Sequence, residues 1–365
     1  MLKTNDFLNA LKKEKIDFFC GVPDSLLKDL CAFMNKNCSS ENNIITANEG
    51  NALALAAGHY LATGYPGAVY MQNSGLGNII NPLLSLVDED VYQLPVLLII
   101  GWRGEPDVPD EPQHVKQGKL TLPLLDTMKI KYEILKSTDQ IKSACAYIKK
   151  ENKPFAFIVK KGTFDTFPYE PVPSPYTLSR ETAIKEIITL MKPDDITVST
   201  TGMISRELYE NRQSHEKDFL TVGSMGHASS IAFGIALKKT ERKVFCFDGD
   251  GAFLMHMGAI AVIASRTPKN FKHIIFNNEA HDSVGGQPTV ASTINIPKIA
   301  KNCGYKKVYT AKTLEELHTL WNNFYNSDGP CLLEIKVKRG ARKDLGRPKE
   351  KPVENKRVFM NFIRG

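Results

Sequence analysis

The stretch VFCFDGDG at residues 244–251, followed by IIFNN at 274–278, decides how this chain is read. Each piece is an apolar run that breaks into Gly, Asp or Asn, the pattern of a strand ending in a loop. Residues 252–276 leave room for one crossover helix and one strand between the two breaks. In a parallel α/β sheet that brings both breaks to one edge, outside the carboxyl ends of the strands, where ligands of such sheets bind. Asp250 on one loop and Asn278 on the next can then hold one Mg²⁺, a hard cation that takes oxygen ligands and commonly keeps a diphosphate among them. Gly249 and Gly251 let backbone approach that diphosphate closely. A calcium loop beginning at Asp248 fails, because Ala259 stands where the bidentate Glu would be needed. No G-x-G-x-x-G follows a strand in the place a dinucleotide fold requires.

Outward from this motif, short β-rich runs alternate with helical patterns. Strands are expected at 16–20, 44–48, 68–72, 96–101, 132–135 and 155–160, and helices at 25–35, 51–62, 78–90 and 139–150. Residues 164–176 then carry four prolines and no periodicity, which suits an extended linker. Alternation resumes with helices at 180–191, 203–211, 228–238, 253–265, near 297–303 and at 314–325. Strands are expected at 197–200, 220–223, 244–247, 273–276 and 331–337. The fold class expected is therefore α/β, with two doubly wound parallel-sheet domains and no middle domain. The first covers 1–163, a Pro-rich linker 164–178, the second 179–340, and a basic C-terminal tail 341–365. The architecture occurs twice without a close internal sequence repeat.

Composition bounds the function. A chain of 365 residues can build two full cores. The net charge of +7 is modest and gathers at 336–356, a run that reads as a solvated tail or subunit contact. Nucleic-acid binding would want basic residues interleaved with aromatics over a reading surface. The seven cysteines form no Cys-x-x-Cys pair and no zinc spacing, as expected for reduced thiols in a cytoplasmic protein. The N-terminus opens an amphipathic helix and lacks a signal peptide's apolar core. The longest apolar run, 94–102, is too short to span a bilayer and is expected to be a buried strand.

Gly249-Asp250-Gly251 and Asn277-Asn278 together resemble the cofactor motif of the thiamine-diphosphate-dependent decarboxylases and synthases. The resemblance implies that Asp250, Asn278 and the carbonyl of Ala280 hold Mg²⁺, with Gly223, Ser224, Gly249, Gly251, Ala252 and Ser283 around the cofactor. The family usually has glycine where this chain has Ala280, a change that a carbonyl ligand survives. Glu49, in the string 46–52 (TANEGNA), resembles the glutamate that contacts the aminopyrimidine N1′ and so promotes loss of the thiazolium C2 proton. A carboxylate favoured by a helix start is the plainer reading of Glu49. Met225 resembles the apolar residue that bends the cofactor, although Met is an ordinary core filler. In this family the cofactor lies between two subunits, so self-association as a dimer or larger is implied.

The strings GVPDS (21–25), GWRGE (101–105), PQH (112–114), DSVGGQPT (282–289) and DLGRP (344–348) resemble the compact subgroup of these decarboxylases. That resemblance implies decarboxylation of a small anionic 2-oxo acid, 3-phosphonopyruvate, to phosphonoacetaldehyde and CO₂ in phosphonate biosynthesis, with sulfopyruvate as the alternative. The neutral run 283–286 stands where pyruvate decarboxylases place a glutamate, and small residues with backbone N–H groups suit an anion. Arg103 is a candidate for paired hydrogen bonds to the head group, with Ser25, Asn73, His114 and Gln287 beside it. The alternative for Arg103 is a salt bridge with Glu105 or Asp107. Asp24 and His114 resemble the acid and histidine that relay protons, and His281 is a further candidate.

Overall fold

The computed structural model describes residues 1–168 and 173–365 and divides into two compact units, Met1–Pro171 and Val172–Gly365. The centre of the expected linker, 169–172, lies outside the described residues.

In the first unit the strands are β1 (Phe19–Gly21), β2 (Asn43–Ile45), β3 (Ala68–Gln72), β4 (Leu97–Gly101), β5 (Lys131–Ile134) and β6 (Phe155–Val159). They form one parallel sheet in the order β2-β1-β3-β4-β6-β5. Helices α1 (Thr4–Lys13), α2 (Lys28–Asn37), α3 (Glu49–Thr63), α4 (Leu76–Pro82), α5 (Pro112–Thr127) and α6 (Asp139–Glu151) connect and cover it. The second unit repeats the plan. Its strands are β7 (Ile196–Ser199), β8 (Asp218–Leu220), β9 (Val244–Gly249) and β10 (Phe271–Asn277), then a two-stranded ribbon β11 (Ala280–His281) and β12 (Gln287–Pro288), then β13 (Lys307–Ala311) and β14 (Cys331–Lys336). Its helices are α7 (Arg180–Leu190), α8 (Met203–Asn211), α9 (Ala228–Ala236), α10 (Asp250–Met255), α11 (Ala259–Arg266), α12 (Ile296–Cys303), α13 (Leu314–Asn326) and α14 (Pro352–Arg364). Read from its β8 edge, the main sheet runs β8-β7-β9-β10-β14-β13, the same order as the first sheet when the ribbon is set aside.

Both sheets are doubly wound, and the side chains show why. Successive strand residues point to opposite faces, and a parallel sheet is covered on both. Ala68 and Tyr70 of β3 join one apolar cluster while Val69 and Met71 join another. Phe245 and Phe247 of β9 face one cluster, and Val244 and Cys246 face the other. These strands therefore read as continuous apolar runs.

Several elements differ from the sequence reading. Helix α5 was unexpected, because Pro112 and Pro123 look like breakers. Pro112 instead occupies the first turn, where its missing N–H costs nothing, and Pro123 lies inside the helix. The single helix expected at 253–265 is two, with Gly258 as the N-cap of the second. The helix expected at 78–90 ends at Pro82 and continues as a π-helical turn, Leu83–Val87. Edge strand β13 was missed because its outer residues are half-buried or exposed. The ends of the expected linker are anchored: Phe164 packs in the first unit's core, and Leu178 packs in the second's.

The segment expected as a basic tail is a correction. Within it, α14 buries Phe359 in the second core, and Asn355 stands in for a strand partner along edge strand β8. Its Nδ2 donates to the Asp218 carbonyl at 2.8 Å, and its Oδ1 accepts from the Leu220 N–H at 3.1 Å. The edge is thereby closed to other chains. Phe359→Ala is expected to cost about 3–5 kcal/mol, as for other buried aromatics. Chemical denaturation checks this, and a loss too small to separate from wild type contradicts the packing role.

Candidate active site

Sequence places a polar residue at the end of nearly every central strand, and parallel pairing gathers them at each sheet's carboxyl edge. In the first unit, Asn48 caps α3 by accepting from the Asn51 N–H, which sets Glu49 as the first helical residue. Glu49 is only 5% exposed. One of its oxygens, Oε2, accepts from Asn78 Nδ2 at 2.7 Å. The carboxylate lies against Gly75, where a Cβ would stand 2.6 Å from both Cγ and Oε1. The Gly75 backbone, at φ −68°, suits any residue, so glycine is required there by Glu49 and not by the chain path.

Beyond β1, Asp24 is fully buried. Gln72 Nε2 donates to its Oδ1 at 2.7 Å, and the Leu26 N–H donates to Oδ2 at 2.9 Å. Burial raises its pKa, opposed by these hydrogen bonds and by the charge of Arg103. Arg103 follows β4. Its partner is Asp110, and neither of the acids considered from sequence: Nε donates at 2.8 Å and Nη2 at 2.5 Å to that carboxylate. Glu105 pairs with Lys160. Nη1 of Arg103 donates to Ser25 Oγ at 2.7 Å, so one edge of the guanidinium is committed and its remaining N–H groups are left for another acceptor. His114, half-buried on α5, has an unpartnered Nδ1, and burial with the nearby Arg103 charge lowers its pKa. Its imidazole is neutral at physiological pH.

Asn73 is a correction. Its amide donates to the Arg103 carbonyl at 2.7 Å and to Thr121 Oγ1 at 2.8 Å, and its Oδ1 accepts from the Arg103 N–H at 3.2 Å. With both N–H donors engaged, Asn73 has none for a substrate head group and instead fixes the Arg103 turn.

In the second unit, the β9–β10 register pairs Gly249 with Phe276, setting Asp250 and Asn278 just past adjacent strand ends. Asp250 is buried, and its hydrogen bonds come from Thr289 Oγ1 (2.5 Å) and backbone N–H groups, all uncharged. Burial is the main reason its pKa is pushed up to about 7. Asn278 donates through Nδ2 to Asp282 Oδ2 at 2.6 Å, and its Oδ1 accepts from the Ala280 N–H at 3.2 Å. Glu279 between them sits in the left-handed region at φ +59°. The neighbouring Asn277 turns away and donates to Glu334.

Met225 follows β8 in a turn where Ser224 (φ +52°) and Gly226 (φ +86°) are both left-handed. A Cβ on Gly251 would stand 2.8 Å from the His281 ring and 3.4 Å from the Met225 methyl, so both side chains flank that glycine. Burial lowers the His281 pKa to about 4 and leaves it neutral. Ser283 lies in a short 3-10 turn beside Gly202, and buried Gln287 is the ribbon partner of His281. Ala252 is buried in the first turn of α10. Sequence reading missed Asn78, Gln72, Asp110, Thr121, Asp282, Thr289 and Arg180. Only Asp282 and Thr289 lay in a string already singled out.

This donor set fits a divalent cation with a diphosphate. A buried carboxylate bonded only to neutral groups lacks a countercharge. The Asn278 oxygen retains a second lone pair, and Gly249 and Gly251 leave the backbone bare beside them. Glu49 likewise holds one oxygen, Oε2, with Asn78.

Two family profiles match the chain: the thiamine pyrophosphate enzyme N-terminal TPP binding domain at residues 3–129, and the C-terminal TPP binding domain at 198–335. A phosphonopyruvate decarboxylase of Streptomyces hygroscopicus is 34% identical, covering 99% of this chain and 94% of its own. One from Streptomyces viridochromogenes is 33% identical over 100% and 95%. A sulfopyruvate decarboxylase of Methanosarcina acetivorans is 28% identical over 87% and 86%.

Gly75→Ala tests the seating of Glu49. It is expected to lower thiamine-diphosphate-dependent turnover about 100-fold, the scale of a 1 Å misplacement, with the circular dichroism of the fold retained. Turnover within twofold of wild type contradicts the contact.

Proposed function

Because the chain belongs to the thiamine pyrophosphate enzymes, we propose that it is a carboxy-lyase converting 3-phosphonopyruvate to phosphonoacetaldehyde and CO₂, a step of phosphonate biosynthesis. The observation that carries this reading is whole-length similarity to two phosphonopyruvate decarboxylases. Sulfopyruvate is the second reading, favoured by the weaker but still extensive match to a sulfopyruvate decarboxylase.

Asp250, Asn278 and the Ala280 carbonyl would hold Mg²⁺. Gly223, Ser224, Gly249, Gly251, Ala252 and Ser283 would surround the diphosphate and thiazolium, with Met225 as an apolar support. When bound, thiamine diphosphate supplies the sink for the electron pair released as CO₂ departs. Glu49, through the oxygen not held by Asn78, would contact the aminopyrimidine edge of the cofactor and act there as the acid–base group. Arg103 offers its remaining N–H groups to the anionic head group, oriented by Asp110, with Ser25 and Gln287 beside it. The neutral run 283–286 presents no carboxylate to repel that head group. Loss of CO₂ must be balanced by one proton delivered to carbon. Asp24, its pKa raised by burial, and His114, its pKa lowered by burial, are the groups suited to hold and pass it.

The free cysteines Cys20, Cys31, Cys38, Cys145, Cys246, Cys303 and Cys331 support a reducing, cytoplasmic setting. Among the described residues, no helix is long and apolar enough to cross a membrane. Self-association as a dimer or larger, with sites at the subunit interface, completes the proposal.

Side-by-side measurement of CO₂ release from phosphonopyruvate, sulfopyruvate and pyruvate, with Mg²⁺ and thiamine diphosphate present, is expected to rank phosphonopyruvate first by kcat/KM. A faster sulfopyruvate rate moves the assignment to the second reading. Glu49→Gln is expected to lose about 10²–10⁴-fold in kcat, the range for a general acid–base group, while cofactor binding persists; undiminished turnover would remove Glu49 from the chemistry.

A further inference from the structure

A buried polar chain runs away from the proposed cation site in the second unit, and none of its outer members touches that site. Glu207 on α8 forms a two-point ion pair with Arg180, the first residue of α7, at 2.7 Å (Nε–Oε2) and 3.0 Å (Nη2–Oε1). Arg180 is 4% exposed and Glu207 1%. The opposite side of the guanidinium, Nη1, donates to Asp282 Oδ2 at 2.9 Å. The same Oδ2 accepts from Asn278 Nδ2. The Gly340 N–H, just beyond β14, also donates to this carboxylate at 3.1–3.2 Å.

An asparagine amide has two ends of nearly equal size, and only the oxygen can ligate a hard cation. Which end faces inward is decided by what the other end meets. Asp282 Oδ2, which accepts from Arg180 Nη1, also accepts from the Asn278 amide NH₂ and so turns Oδ1 the other way. Arg180 keeps Asp282 in place, and Glu207 keeps Arg180 in place. We propose that Glu207, Arg180 and Asp282 are positioning residues that set the flip state of Asn278 and thereby the affinity for the divalent cation. Signs alternate along the chain: carboxylate, guanidinium, carboxylate, amide NH₂, amide oxygen, cation. Each link favours the next, and burial strengthens all of them. Partners of this kind behind a metal ligand are worth about 10–100-fold in metal affinity.

This rests on the assignment of Asp250 and Asn278 as cation ligands, and the test separates the two. In Asp282→Asn the oxygen that Arg180 Nη1 meets still faces Asn278, but a neutral amide oxygen replaces the carboxylate, so the preference for the Asn278 NH₂ is weakened while shape is conserved. Arg180→Gln and Glu207→Gln remove charge at similar size. For each full-length variant, the thiamine diphosphate retained on ultrafiltration is measured against free Mg²⁺, alongside the melting temperature without cofactor. Asp282→Asn is expected to raise the Mg²⁺ requirement about 10-fold or more, with the cofactor-free melting temperature near wild type and retention recovered at high Mg²⁺. Arg180→Gln and Glu207→Gln are expected to shift it in the same direction by less. An unchanged requirement in Asp282→Asn overturns the inference, as does a shift that merely tracks a fall in melting temperature. Asp250→Ala and Asn278→Ala serve as the reference: if they too leave the requirement unchanged, the ligand assignment itself fails.

Discussion

The parallel pairing of β9 with β10 is the constraint on which the second unit depends. Because Gly249 lies opposite Phe276, the chain delivers a carboxylate and an amide to adjacent strand ends with no further design. The cost is a carboxylate without an oppositely charged partner among the described residues of its own unit, since Asp250 is bonded there to neutral donors. A buried anion of this kind is stable only if it is protonated or if a cation joins it. The glycines on either side keep backbone, not side chains, at the place where a polyanion would sit.

The same strand order presents a different set of groups in the first unit. There the carboxyl edge carries Asp24 against Gln72 and Glu49 against Asn78, with Arg103 clamped by Asp110. None of these acids is arranged to hold a metal. Each is held on one side by an amide or a guanidinium, which fixes its geometry. One topology thus presents carboxylates held by amides and a guanidinium in one unit, and a buried carboxylate beside glycines in the other.

What sequence revealed follows a physical division. The positions of Asp250, Asn278 and Glu49 were legible because strand and helix ends announce themselves by local composition, and the structure sets all three at such ends. Strand β3 was read to its boundaries because buried parallel strands are continuous apolar runs. Asn78, Asp110 and Arg180 were not legible, because their importance lies in partners far along the chain or across a loop: Arg180 meets Asp282 across 102 residues. Asn73 was read as a substrate donor because residue type says nothing about whether its N–H groups are already taken. Helix α5 was hidden by its prolines, and α14 by the run of basic residues before it, which masked the apolar face made by Phe359, Phe362 and Ile363.

The central claim is that one divalent cation sits between the Asp250 carboxylate and the Asn278 amide oxygen. Crystals grown with thiamine diphosphate and Mn²⁺ in place of Mg²⁺ test it most directly, through the anomalous signal of the metal. The account predicts one strong peak within coordination distance of both side chains and of the Ala280 carbonyl. A cofactor bound in the second unit with no peak there, or with the metal held by other residues, contradicts it.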